Sequence, residues 1–183
     1  MQRNHVLLVL AFALSIPTAA HADRFNTKSR FGLGLEVGAP SGLNMKYFLG
    51  GMVAIQAGVG VVQSWGYEGT HIHAEAVWHP VVLARTPSVE IPLHLGVGAR
   101  FLDHDDDYMD RCWNGRSYEP CYGDDAHLGV RAPFGISFLF RKVPMDVFLE
   151  LALVFDLVHF ERRYRYDHDD AALHGALGAR FYF

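Results

Sequence analysis

The sequence predicts an all-β protein: one closed, eight-stranded, antiparallel up-and-down β-barrel. Three observations carry that prediction. Eight segments alternate apolar residues with others at the period of two that a strand imposes. One of the two alternating sets holds no charge in any segment. The other set mixes glycine with Glu, Asp, Lys, Arg and His throughout.

The first 22 residues stand apart from the pattern. Met1 to Ala22 reads as a secretory signal, with Arg3 in a short basic start, an apolar run over 6–16, Pro17 as a break and Ala20-His21-Ala22 as the cleavage site. The apolar run is too short for a spanning helix, which needs roughly 20 residues. Asp23 is the expected first mature residue, 23–29 a polar lead-in, and 30–183 the barrel domain. A chain of 183 residues allows one such domain. Its mildly acidic balance, net −4, gives no reason to expect nucleic acid.

The first strand sets Phe31, Leu33, Leu35 and Val37 on one side and Gly32, Gly34, Glu36 and Gly38 on the other. Pro40-Ser41-Gly42 reads as a short turn, with Gly42 available for positive φ. Folding about Ser41 would bring Glu36 opposite Lys46, a favourable cross-strand pair. Leu43, Met45, Tyr47 and Leu49 continue the apolar face, and Gly50-Gly51 turns the chain. The third strand carries Val53, Ile55, Ala57, Val59 and Val61, followed by a loop over 64–70. The fourth has Ile72, Ala74, Ala76 and Trp78 against His71, His73, Glu75, Val77 and His79, and 80–88 connects. The fifth sets Ile91, Leu93, Leu95, Val97, Ala99 and Phe101 against Glu90, Pro92, His94, Gly96, Gly98 and Arg100. After the long acidic connection 103–125, the sixth sets Leu128 to Phe140 against His127, Gly129, Arg131, Pro133, Gly135, Ser137 and Leu139. Residues 141–144 turn. The seventh alternates Val147 to Leu157 with Asp146, Phe148, Glu150, Ala152, Val154 and Asp156. Pro92 and Pro133 lack a donor, so each should mark a bulge or local break. The connection 159–170 leads to the eighth strand, 171–183, in which Leu173, Leu177, Phe181 and Phe183 alternate with His174, Ala176, Gly178, Arg180 and Tyr182. Cys112 and Cys121 lie close together in the longest connection. An exported chain meets an oxidising compartment, where this spacing reads as a disulfide closing a small loop.

The second face decides which way the apolar face points. Glycine weakens strands and has no use on a solvent face. Inside a narrow barrel it makes room beside large charged side chains. The apolar face, free of charge, is what lipid contact demands, since a charge at mid-membrane costs roughly 2–4 kcal/mol. Closure satisfies the backbone in a medium without water. The expected barrel is therefore transmembrane.

The Gly-x-Gly strands, the Gly38-x-Pro40-x-Gly42 turn and the terminal Phe181 and Phe183 resemble small bacterial outer-membrane β-barrel proteins. That resemblance spans 30–183. It implies an outer-membrane address, a terminal-Phe signal read by the barrel-insertion machinery, outer-membrane lipid and lipopolysaccharide as surroundings, and a monomer. Connections 50–51, 80–88 and 141–144, with both termini, would be periplasmic; 64–70, 103–125 and 159–170 would be extracellular.

Inward Glu36, Lys46, Glu75, Glu90, Arg100, Arg131, Asp146, Glu150, Asp156 and Arg180 are expected to form a packed ion network, because buried charges must be paired. A narrow ion or proton path is the alternative use of the same residues. His127, Asp156 and His174 near one end of consecutive strands are a candidate zinc set, against the plainer reading as a hydrogen-bonded rim. A Ser64–His71–Glu75 hydrolase arrangement can be drawn, without an elbow motif or oxyanion device. Barrels that cleave lipid from their side place a His/Ser pair on the outer wall, and the outward set here has neither, so no enzyme is expected. The acidic runs 103–107 and 167–170 suit a divalent cation such as calcium, though a solvated surface accounts for them as well. No other cofactor is expected. Function is expected to reside in loops 103–125 and 159–170, as a structural or surface-interaction role with an unspecified extracellular ligand.

Overall fold

The computed structural model describes residues 30–64, 67–105, 110–113, 118–121, 124–160 and 171–183. The expected signal 1–22 and lead-in 23–29 lie outside the described residues. Among the described residues ten strands occur in chain order: β1 (Phe31–Gly38), β2 (Ser41–Gly50), β3 (Val53–Ser64), β4 (Tyr67–Arg85), β5 (Val89–Asp105), β6 (Asp110–Trp113), β7 (Tyr118–Cys121), β8 (Asp124–Phe140), β9 (Met145–Phe160) and β10 (Ala171–Tyr182). Eight close a barrel in the order β1-β10-β9-β8-β5-β4-β3-β2, and β6 and β7 form a separate hairpin in the longest connection. Every ladder is antiparallel.

The registers fix the barrel's stagger. From Gly34, partners lead through Asn44, Gly58, His73, Arg100 and Gly129 to Asp156 on β9. In the other direction they lead through Arg180 to Asp146 on the same strand. The offset between Asp146 and Asp156 is ten residues, which at ordinary strand spacings corresponds to a tilt of about 40°. Eight strands at this tilt enclose an interior that side chains can fill.

The alternation lands as the residue types dictate. Leu35, Leu43, Ile72, Leu95, Leu151, Leu173 and their period-two neighbours are exposed on the outer wall, Leu35 by 64%. Glu36, Lys46, Glu75, Arg131, Glu150 and Arg180 are buried inside. At the end carrying the termini, Phe48, Ala54, Leu139 and Tyr182 pack together, with Met52 and Val82 against them, and seal the interior.

Three expectations are corrected. Glu36 faces Gly42 and Lys46 faces Gly32, so the first hairpin does not set Glu36 against Lys46. The hairpin folds about Ala39. Ser41 Oγ accepts from Gly38 N at 2.9 Å and donates to Gly38 O at 3.0 Å, closing a tighter link than the sequence suggests. The positive φ (131°) falls accordingly on Gly38 and not on Gly42. Third, 80–88 is mostly strand: β4 runs to Arg85, with register shifts between Trp78 and Val81 and between Val82 and Ala84. The loop expected over 64–70 likewise shrinks, because β3 reaches Ser64 and β4 starts at Tyr67.

Pro92 and Pro133 act as expected of residues without a donor. The β5–β8 ladder keeps one register, yet the pairs that would join Pro92 to Ser137 and Gly96 to Pro133 are missing from it. Pro92 also borders the β4 irregularity, through its pairing with Val82.

Candidate functional site

The interior is organised by one closed circuit of hydrogen-bonded side chains. Arg180 Nη1 donates to Asn44 Oδ1 at 2.9 Å, and Asn44 Nδ2 donates to Glu36 Oε2 at 2.9 Å. Glu36 Oε1 meets His73 Nε2 at 3.3 Å, and His73 Nδ1 meets Glu75 Oε1 at 2.6 Å. Arg131 joins Glu75 through Nη1 at 2.5 Å to Glu150 Oε1 through Nη2 at 2.8 Å. Gln56 Nε2 donates to Glu150 Oε2 at 2.9 Å, and Arg180 Nη1 returns to Gln56 Oε1 at 2.8 Å. These eight side chains come from seven of the eight barrel strands; β5 adds His94, whose Nε2 lies 3.2 Å from Glu150 Oε2.

The circuit is anchored toward the terminal end. Arg180 Nε and Nη2 bind Asp146 Oδ1 and Oδ2 at 3.0 Å each, in the paired fork geometry that makes guanidinium–carboxylate contacts strong. Tyr182 OH donates to Asp146 Oδ2 at 3.0 Å, and the Arg180 guanidinium lies 4.0 Å above the Phe148 ring. Lys46 Nζ meets His79 Nε2 at 3.0 Å, and the other ring nitrogen of His79 meets Met52 O at 3.0 Å.

Electrostatic balance explains why these groups persist out of water. Four carboxylates, Glu36, Glu75, Asp146 and Glu150, share this interior with Lys46, Arg131 and Arg180. His73 stands between two carboxylates, 3.3 Å from Glu36 Oε1 and 2.6 Å from Glu75 Oε1, where a proton on each ring nitrogen would even the tally. Buried ions survive only when paired and hydrogen-bonded in this way. Glycine supplies the space. A Cβ on Gly58 would collide with His73 Nε2 and lie 2.9 Å from Glu36 Oε1. A Cβ on Gly178 would strike the Phe148 ring.

A second cluster lies toward the loop end. Arg100 grips Asp156 through Nε (3.0 Å) and Nη2 (2.5 Å to Oδ2), and His127 Nδ1 stands 4.0 Å from Asp156 Oδ2. His174 is directed elsewhere: its ring centroid lies 5.7 Å from that of His71, which in turn is 5.3 Å from that of His73. The structure thus divides the trio His127, Asp156 and His174 between two neighbourhoods. Among the described residues no group of three or more His, Cys, Asp or Glu side chains stands so as to hold a metal ion. Glu75 points to His73 and Arg131, so it does not orient His71 as a triad acid would; Ser64's side chain lies outside the described residues. Both ring nitrogens of His71 and Nδ1 of His174 are buried without a protein hydrogen-bond partner among the described residues. An unmatched buried polar group is costly, and an apolar replacement of like shape is not. His71→Leu should therefore leave the unfolding free energy unchanged within about 1 kcal/mol or raise it. Urea unfolding in lipid vesicles, read by tryptophan fluorescence, checks this.

Glu90 sits at the terminal rim, bound by Arg85 Nη2 at 2.8 Å and 3.7 Å from Arg141 Nη2. Phe181 and Phe183 point outward, their rings 5.2 Å apart. The Cys112–Cys121 bridge and, Asp103 apart, the divalent-cation expectation at the acidic runs rest on side chains outside the described residues. Backbone pairing places Cys112 opposite Glu119 and Cys121 opposite Asp110 on the small hairpin.

Charge alone does not single out Asn44, Gln56, His73, His94, Ser137 and Tyr182. Their only sequence signal is inward parity beside glycine.

No protein-family model and no curated protein matches the chain. Solved structures of similar fold include a major outer membrane protein from Thermus thermophilus, at 10% identity over 85% of this chain and 100% of that one, with a TM-score of 0.50. The N-terminal β-barrel domain of Pseudomonas aeruginosa OprF (15% identity, 84% and 96% covered, TM-score 0.49) and Acinetobacter baumannii CarO (12%, 86% and 100%, TM-score 0.49) are also similar. At these identities the likeness is one of fold.

Proposed function

We propose that the protein is an integral outer-membrane barrel whose interior is closed and whose activity lies at its extracellular loops, as a structural or surface-interaction protein without enzymatic chemistry. One observation carries this reading: a wall of exposed apolar side chains encloses a closed circuit of hydrogen-bonded charged and amide side chains. An exposed Leu, Val and Phe surface of this extent is unfavourable in water and at home in hydrocarbon. Aromatic residues near the terminal end of that wall, Phe31, Tyr47, Trp78, Phe140, Phe181 and Phe183, suit a bilayer interface. The side-chain-filled interior supports a closed barrel over a pore. Arg131, always protonated and without an acceptor, also interrupts any proton relay between Glu75 and Glu150. Loops 103–125 and 159–170 then face the outside, and the termini face the periplasm.

Gel mobility that depends on heating, combined with protease treatment of intact cells, tests the address and the sidedness together. Cleavage within 103–125 in intact cells supports the reading; complete protection while the turn at 141–144 is cut would reverse it. In planar bilayers the refolded protein should give no steady single-channel conductance. Regular open steps would replace the closed interior with a channel.

A further inference from the structure

The charges that the interior circuit does not use are sorted between the two ends of the barrel. Connections 64–70, 103–125 and 159–170 carry thirteen acidic residues against five arginines. At the opposite rim, Arg30, Arg85, Arg141 and Lys142 are exposed, and among the described residues no acidic side chain is exposed there. The turns 86–88 and 141–144 are neighbours, tied by Arg141 N donating to Ser88 O at 2.9 Å. Among the described residues, the carboxylate between them is that of Glu90. Glu90 is 4% exposed and holds Arg85 at 2.8 Å, while Arg141 stays at 3.7 Å; the two arginine side chains remain 40% and 37% exposed. Arg141 and Lys142 thus present positive charge to the surroundings beside this pair.

We propose that this basic rim binds the headgroups of anionic phospholipids, a proposal that rests on the membrane-spanning reading above. The apolar wall runs directly into the basic turns: Val81, Leu83, Phe140 and Val143 are exposed beside them. Acyl chains on that wall therefore bring their phosphates level with Arg141 and Lys142. A guanidinium matches phosphate oxygens with parallel donors, and Lys adds a mobile point charge. Long basic side chains can also lay their methylenes along the apolar wall while the charge reaches outward. The acidic far end repels the same headgroups. The rim accordingly favours the leaflet built of phospholipid and resists the inverted orientation.

Native mass spectrometry of the refolded barrel in neutral detergent, titrated with phosphatidylglycerol or phosphatidylcholine of identical acyl chains, measures the preference. Phosphatidylglycerol should bind more tightly, by about five-fold for each basic residue that engages a headgroup. The variant Arg30→Gln/Arg141→Gln/Lys142→Gln leaves Arg85 on Glu90, so the barrel should keep its heat-modifiable mobility while the two lipids become nearly equal. Raising salt should narrow the wild-type preference in the same way. Equal binding of both lipids by the wild type, or an undiminished preference in the variant, overturns the proposal. Displacement of the lipid by millimolar inorganic phosphate would overturn it as well, by assigning the site to free phosphate. Failure to insert into phosphatidylcholine vesicles would instead remove the membrane reading beneath it, so the two failures are distinguishable.

Discussion

Arg131→Met is expected to destabilise the folded barrel by roughly 3–5 kcal/mol, the range for stripping one partner from a buried ion pair. Arg131 is buried to 1% exposure and joins the two halves of the circuit, Glu75 on β4 and Glu150 on β9. Methionine keeps the unbranched stem as far as the Nε position and removes the charge. Glu150 then keeps only Gln56 and His94, and Glu75 keeps His73, which Glu36 also claims. Lysine should not rescue the site, because its single ammonium replaces two separate nitrogens, Nη1 on Glu75 and Nη2 on Glu150, that the planar fork holds apart. Neutralising the acids together, in Arg131→Met/Glu75→Gln/Glu150→Gln, should recover most of the loss, since what costs energy is the uncompensated charge. Urea unfolding of the vesicle-embedded barrel gives all three values. A single-variant loss below about 1 kcal/mol, the scale of an ordinary hydrogen bond, would show that the circuit is not a determinant of stability.

Much of this architecture is legible in the sequence, and the places where it is not have identifiable causes. Parity alone assigns each strand's faces, because adjacent side chains must point to opposite sides. Leu33 and Leu173 fall outside and Glu36 and Arg180 inside without any knowledge of the registers. The strand over 80–85 is illegible for the converse reason. Between outward Trp78 and outward Val81 stand two residues, His79 and Pro80, where alternation allows one, and the register shift that absorbs the extra residue breaks the pattern. The pairings within the interior are hidden for a different reason. Arg131 on β8 meets Glu150 on the adjacent β9 and Glu75 on β4, two strands away, and such meetings follow from the stagger, a property of the closed sheet that no single segment records. Glu36 illustrates the limit: parity places it inside and its hairpin brings Asn44 diagonally near, but its other partner, His73 on β4, is one that the hairpin does not reveal. His71 and His174 share a face with the circuit and remain outside it, a distinction set by side-chain packing alone.

Leu151→Arg carries the second large effect, and its sign separates a barrel in lipid from one in water. Leu151 is an outward residue near the middle of β9, 40% exposed, between Phe134 on β8 and Gly175 on β10. Arginine there meets no steric obstacle, as the Gly175 neighbour leaves room. In hydrocarbon the charge should cost roughly 2–4 kcal/mol at the midplane, and it should slow insertion into preformed vesicles. The depth dependence supplies an internal control. Leu157 lies on the same outer face toward the loop end and is 67% exposed, so Leu157→Arg should cost about 0–1 kcal/mol as the side chain reaches the interface. Had the apolar wall faced water, both substitutions would fall within about 0.5 kcal/mol of wild type and would improve solubility without detergent. A steep cost at Leu151 beside a small one at Leu157 follows only if acyl chains cover the wall, and equal small values at both positions would turn the barrel inside out.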